Sequence, residues 1–197
     1  MTSRRASSRD RLPWLWGAPG HTLAPPDDRD LDSGLVRRAT RAVETTATAE
    51  ALYLWLCQLR RAPYSYDWID NLGRRSPRDP DLGMTDLRLG QTVMTIFTLT
   101  AYEPLHSLTL RMKPGVPTRI FGAICVRYEI ERLGDSRRRL RATLWLPPVG
   151  PPFGDLRRYL LAWGDLVMMR RQLHVLCSLA EATSRQQPQS RTLCGNA

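Results

Sequence analysis

The last long apolar period of this chain constrains its fold more than any other feature. From Asp155 to about Ala182, Leu156, Tyr159, Trp163, Leu166, Met169, Leu173, Leu176 and Ala180 recur at three- and four-residue spacing, the pattern of one amphipathic helix. At 1.5 Å per residue it runs roughly 40 Å. A stripe of that length needs a broad apolar surface to lie across.

The preceding sequence supplies a sheet. Leu35 to Glu44, Gln91 to Ala101, Leu105 to Met112, Thr118 to Arg132 and Arg137 to Leu146 read as strands. His106, Leu108, Leu110 and Met112 share one face of the third. Ile120, Gly122, Ile124, Val126, Tyr128 and Ile130 share a face of the fourth. In the fifth, Leu140, Ala142, Leu144 and Leu146 alternate with Arg139, Arg141 and Thr143. Such alternation marks antiparallel sheet with one buried face, joined at turns such as Lys113-Pro114-Gly115 and Gly134-Asp135-Ser136. Between the first strand and this meander, Leu52, Trp55, Leu56 and Leu59 predict a helix from about Ala47 to Arg61. Pro63 can begin a second, short helix ending at Leu72 with Gly73 as its cap. Strand, two helices, meander and one long helix make an α+β fold.

The length of 197 residues suits one domain with tails. Residues 1–33 are rich in Ser, Arg, Pro, Gly and Asp without a period and read as a disordered leader, although Trp14 and Trp16 can dock on something. Residues 34–183 form the domain, and 184–197 read as a disordered tail. No apolar run approaches the ~20 residues of a membrane span, and the first residues lack a signal-peptide core. Membrane insertion and export are not expected. Cys57, Cys125, Cys177 and Cys194 stand singly, with no CxxC pair, so a reducing cytoplasm fits better than a disulfide framework.

The net charge of +10 invites a nucleic-acid reading. Yet Lys113 is the one lysine among 29 basic residues, a skew that a GC-rich coding genome produces by itself. The densest cluster, Arg137-Arg138-Arg139-Leu140-Arg141, reads as a charged strand edge that discourages edge pairing. It has no recognition helix or RNA-binding aromatic motif beside it, so no nucleic-acid partner is expected.

Candidate chemistry is sparse. Asp67 and Asp70 lie at i, i+3, but a metal would want further ligands, and His21, His106 and His174 are isolated. Surface salt bridging, Asp70 with Arg74, is the simpler reading, and no metal is expected. His106 begins an apolar strand face and reads as a buried, hydrogen-bonded histidine; His174 reads as a satisfied helix-face residue. There is no phosphate loop, GxSxG, HExxH or Cys-His pairing, so neither a catalytic residue nor a cofactor is indicated.

The order of elements resembles the helix-grip fold of the SRPBCC superfamily, which includes START lipid-transfer domains and polyketide cyclases, over about residues 34–183. The stretch Ala62 to Pro77, APYSYDWIDNLGRRSP, with Leu89-Gly-Gln-Thr-Val-Met94 downstream, resembles the signature of a bacterial subgroup of that superfamily. The resemblance implies a curved antiparallel sheet wrapped around the C-terminal helix and enclosing an apolar cavity. It further implies a soluble protein holding a hydrophobic small molecule: a lipid, a polyketide or an aromatic. Leu110, Met112, Tyr128, Trp163 and Val167 would line that cavity, with Tyr66, Trp68 and Arg119 as aromatic or polar fixtures near its ends. Trp163 is expected to face the sheet. The alternative is a cyclase or aromatase-type enzyme using the same cavity, although no pair of titratable groups visibly converges.

Overall fold

Seven strands join into one sheet in the order β1-β2-β7-β6-β5-β4-β3. A computed structural model describes residues 12–17, 36–66, 75–148 and 154–193, with side chains described as far as residue 186. The strands are β1 (Leu15–Trp16), β2 (Arg37–Thr45), β3 (Thr92–Val93), β4 (Phe97–Glu103), β5 (Ser107–Met112), β6 (Cys125–Arg132) and β7 (Arg138–Leu146). Helix α1 (Ala49–Cys57) continues into a 3₁₀ turn, Gln58–Arg60; α2 spans Val116–Phe121 and α3 spans Gly154–Leu193. Among the described residues, only β1 runs parallel to its neighbour, β2. The sheet is curved and unclosed, and with α3 it makes the helix grip implied by the resemblance.

The period of two along each strand decides which side chains face α3. The register aligns Arg41, Ala142, Tyr128 and Leu108 in one row across β2, β7, β6 and β5. Ala39, Leu144, Val126, Leu110 and Leu99 make the next row on the same face. Most of these residues belong to one contiguous core with Met169, Leu173, Leu176 and Ala180 of α3. Helix α1 is capped by Thr48, whose hydroxyl accepts from Ala51 N at 3.2 Å. It packs against α3 and β6, and Trp55 Nε1 donates to Thr183 Oγ1 at 2.9 Å.

The other face of the sheet carries a cross-strand ladder of charge. Glu44 pairs with Arg137 and Arg139, Glu131 pairs with Arg139 and Arg141, and Glu129 with Arg127. The arginine cluster therefore lies not on an edge strand but on β7, between β2 and β6. The long-range return of β2 covers it, which local sequence cannot announce.

Four further expectations differ from the structure. Thr118 to Phe121 is helical, not strand: Gly115 (φ 115°) and Gly122 (φ 83°) bracket α2, and Pro117 stands in its first turn. His106 is exposed in the β4–β5 turn, its Nδ1 3.0 Å from Pro104 O. Leu15 and Trp16, read as part of a disordered leader, pair with β2, and Thr40 N donates to Trp14 O at 2.7 Å. The start of the helix expected from Pro63 is not helical over residues 63–66, Tyr64 having φ 55°, and the rest of it as far as Leu72 lies outside the described residues. Residues 67–74 of the quoted stretch, Asp67, Trp68 and Asp70 included, lie outside the described residues.

Candidate functional site

Where α3 crosses the concave face, the apolar wall is interrupted by buried polar groups. Arg41 lies in the middle of β2, fully buried, between Ala39 and Val43. Its small neighbours on this face, Ala39 and Ala142, leave room for a long side chain and for close approach of the helix backbone. Arg41 Nη1 donates to Trp14 O and Thr40 O at 3.1 Å each, and Nη2 donates to Ala162 O at 3.3 Å. One guanidinium thus ties β1, β2 and α3 together.

Its charge partner is Asp165, one turn beyond Ala162 on α3, with Arg41 Nη2 3.4 Å from Asp165 Oδ2. The contact is an ion pair without hydrogen-bond alignment: Arg41 Nε and Asp165 Oδ2 are both buried, and neither makes a hydrogen bond. Burial raises the Asp165 carboxyl to about 6, against the pull of Arg41. Burial also lowers the Arg41 guanidinium from its usual value, opposed by Asp165. Asp165 keeps about a quarter of its side chain exposed, 23% against 0% for Arg41, so the pair runs from the interior to the rim of the grip.

Tyr128 of β6 lies in the same row as Arg41. Its hydroxyl donates to Gln172 Oε1 at 2.7 Å and lies 3.7 Å from Met169 Sδ. Gln172 Nε2 donates in turn to Pro63 O at 2.5 Å. Burial pushes the Tyr128 phenol up, the negative charge of Asp165 adds to this, and the Gln172 bond opposes it. Tyr128 therefore stays a neutral donor. The site offers a guanidinium, a carboxyl poised near neutrality and a phenol, set among Leu108, Leu110, Leu144 and Met169.

Of the residues named from sequence, the structure brings Leu110, Met112 and Tyr128 together on the concave face, all buried. Tyr66 is half-buried beside α3, with the Arg171 guanidinium 5.8 Å from its ring centre. Arg119 is exposed on α2, and Trp68 is outside the described residues. Trp163 and Val167 do not face the sheet: they are 37% and 51% exposed, about 100° or more round α3 from Ala162. There they join Leu156, Tyr159 and Leu160 in an outward apolar stripe, with Tyr159 and Trp163 in edge contact. The inward face is instead Arg158, Ala162, Leu166, Met169 and Gln172.

Sequence reasoning missed Arg41, Asp165 and Gln172. A signal existed for the first, since Ala39, Arg41 and Val43 alternate onto one face and an arginine between two small apolar residues is an inward charge awaiting a partner. Asp165, three residues past Ala162 and four before Met169, carries the helical half of that signal.

No protein-family profile matches the chain, and no curated protein matches it. Solved structures do. The ZhuI aromatase/cyclase from Streptomyces sp. R1128 is 15% identical, with a TM-score of 0.49 over 74% of this chain and 94% of that one. A START superfamily protein from Mycobacterium smegmatis is 17% identical, with a TM-score of 0.40 over 76% of this chain and 98% of that one. The di-domain aromatase/cyclase StfQ is 13% identical, with a TM-score of 0.47 over 79% of this chain and 52% of that one, so this chain spans about half its length. By its own sheet order and gripped C-terminal helix, the chain has a helix-grip fold.

Proposed function

We propose that the protein holds a hydrophobic small molecule, a lipid, polyketide or aromatic, between the concave sheet face and α3, with a polar group of the ligand against Arg41 and Asp165. The observation that carries this reading is the pair of buried atoms that make no hydrogen bond, Arg41 Nε and Asp165 Oδ2, in a wall built mostly from leucine, alanine and methionine. Such groups are costly when left without partners, and a hydroxyl or carbonyl arriving with an apolar body satisfies them. Leu110, Met112 and Tyr128 supply apolar surface worth ~25 cal/mol per Å² removed from water, less the cost of association. Tyr66, Trp68, Arg119, Trp163 and Val167 complete the set of candidate ligand contacts named from sequence. Of these, Arg119, Trp163 and Val167 are exposed and Trp68 lies outside the described residues.

A second reading, a cyclase or aromatase-type reaction in the same place, is favoured by one fact: a carboxyl raised to about 6 beside a guanidinium can exchange a proton near neutral pH. Two measurements test the first reading. Native mass spectrometry of the purified protein after gentle organic extraction should find an apolar compound, and an anilinonaphthalene sulfonate dye should bind saturably at one site per chain. Arg41→Met should weaken that binding. Dye uptake that is non-saturable, or indifferent to Arg41→Met, would refute the proposal.

A further inference from the structure

A cleft of about 270 Å³ lies on the opposite side of α3 from the sheet. Its polar lining is Ser65, Ser76 and Arg78 from the connection between α1 and β3, with Arg171, His174 and Ser178 of α3. Val175 and Leu179 add apolar surface. No Asp or Glu is among the described lining residues. On the convex face guanidiniums are matched with carboxylates, as in the ladder of Glu44, Glu129 and Glu131, while Arg60, Arg138 and Arg157 donate to backbone carbonyls. Here, among the described residues, neither Arg78 nor Arg171 has a carboxylate within ion-pair distance.

Arg171 is held against an aromatic ring. Arg171 lies over the Tyr66 ring at 5.8 Å, and the ring of His174 meets that of Trp16 edge-on at 5.6 Å. Arg170, beside them, lies over Trp16 at 5.3 Å. An aromatic face positions a cation without neutralising it, so among the described residues the Arg171 charge stays available to the cleft. Guanidinium forks and hydroxyls are donors matched to an oxyanion with several acceptor oxygens. The volume is that of about nine liquid-water molecules, more than a bare phosphate fills, and Val175 and Leu179 suit a small organic body beside the charge.

We propose that this cleft binds a small phosphate monoester, with Arg78 and Arg171 on the phosphate and the organic group over Val175 and Leu179. The cleft does not include Arg41, Asp165 or Tyr128; Tyr64, which also lines it, belongs to the core behind it. Phenyl phosphate, inorganic phosphate and benzoate, titrated into the intact protein by calorimetry, test it. Phenyl phosphate should bind saturably at one site and tighter than the other two. Arg171→Gln and Arg78→Gln should each weaken it about tenfold, the loss of a charge-assisted bond, while Arg88→Gln, an exposed arginine paired with Asp86, leaves it unchanged. Ser178→Glu, at an exposed helix position, puts a carboxylate into the cleft without removing packing and should abolish binding even if an arginine variant folds poorly. Three results would overturn the proposal: no saturable binding, benzoate binding as tightly as phenyl phosphate, or Arg88→Gln costing as much as Arg171→Gln.

Discussion

Replacing Arg41 with Met removes the guanidinium and keeps the length of the side chain, so it isolates the buried charge. Three carbonyls, Trp14 O, Thr40 O and Ala162 O, lose their donor, and Asp165 loses its ion-pair partner. Breaking a buried pair by removing one member costs ~3–5 kcal/mol, chiefly because the other charge is left uncompensated. Asp165 is about a quarter exposed, 23%, which places the expected loss near the lower end of that range. The loss should also depend on pH. In the wild type the folded carboxyl sits at about 6, above its ordinary 3.8, so protonating it favours the fold. That contribution is fully present below about 3.8 and is lost as pH rises through about 6. Arg41 opposes the rise, so Arg41→Met should carry Asp165 higher still, each further unit adding about 1.4 kcal/mol of penalty to the charged state. Urea unfolding followed by circular dichroism should therefore give a larger destabilisation at pH 8, where the lone carboxylate must stay charged, than at pH 5, where it can protonate. A loss equal at the two pH values would refute the argument and assign the effect to the three carbonyls alone.

Other perturbations separate core from surface. Leu110→Ala, on a fully buried strand position, should cost ~2–5 kcal/mol in the same urea assay. Trp163→Ala, on the outward face of α3, should cost no more than about 1.5 kcal/mol despite the larger side chain. Tyr128→Phe leaves Gln172 Oε1 without its 2.7 Å donor and should cost ~1–3 kcal/mol. Gly17→Ala would place a Cβ 2.1 Å from Ala42 O at a φ of +84°; it should detach β1, lose about 1 kcal/mol or more, and expose residues 12–17 to limited proteolysis.

The strands and the long helix were legible because their periods are local properties: alternation along β5, β6 and β7 and the apolar recurrence of α3 each lie within one segment. What local pattern could not convey was pairing. The Arg137 to Arg141 cluster looks like a solvent-facing edge until β2 returns beside β7 and sets Glu44 opposite Arg139. Residues 12–17 have too little apolar surface to fold alone, and Leu15 and Trp16 become a strand through Arg41, whose Nη1 reaches Trp14 O. The turn of helix at α2 was overridden for a related reason. Ile120 and Ile124 continue the alternation of β6 on paper, but two glycines with positive φ detach that stretch from the ladder.

The face of α3 shows how a correct period can still misplace a site. The residues from Leu156 to Ala180 that recur at three- and four-residue spacing complete seven steps in 24 residues, which on a helix of about 100° per residue falls about 120° short of seven full turns. A stripe drawn through them therefore winds around the helix: its C-terminal members, Met169, Leu173, Leu176 and Ala180, are buried, while Leu156, Tyr159 and Trp163 emerge on the far side. Hydrophobicity does not choose between the two faces of the first turns, since both carry apolar residues. The buried charge does. Arg41, fixed on the concave face by the register of β2, needs a counter-charge, and only the rotation that presents Asp165 inward provides one. That rotation carries Ala162 and Leu166 inward and turns Trp163 outward. The large aromatic that looked like the wall of a container thus gives way to a small residue, Ala162, and an ion pair. The polar end of the grip is where a ligand's recognition is expected to reside.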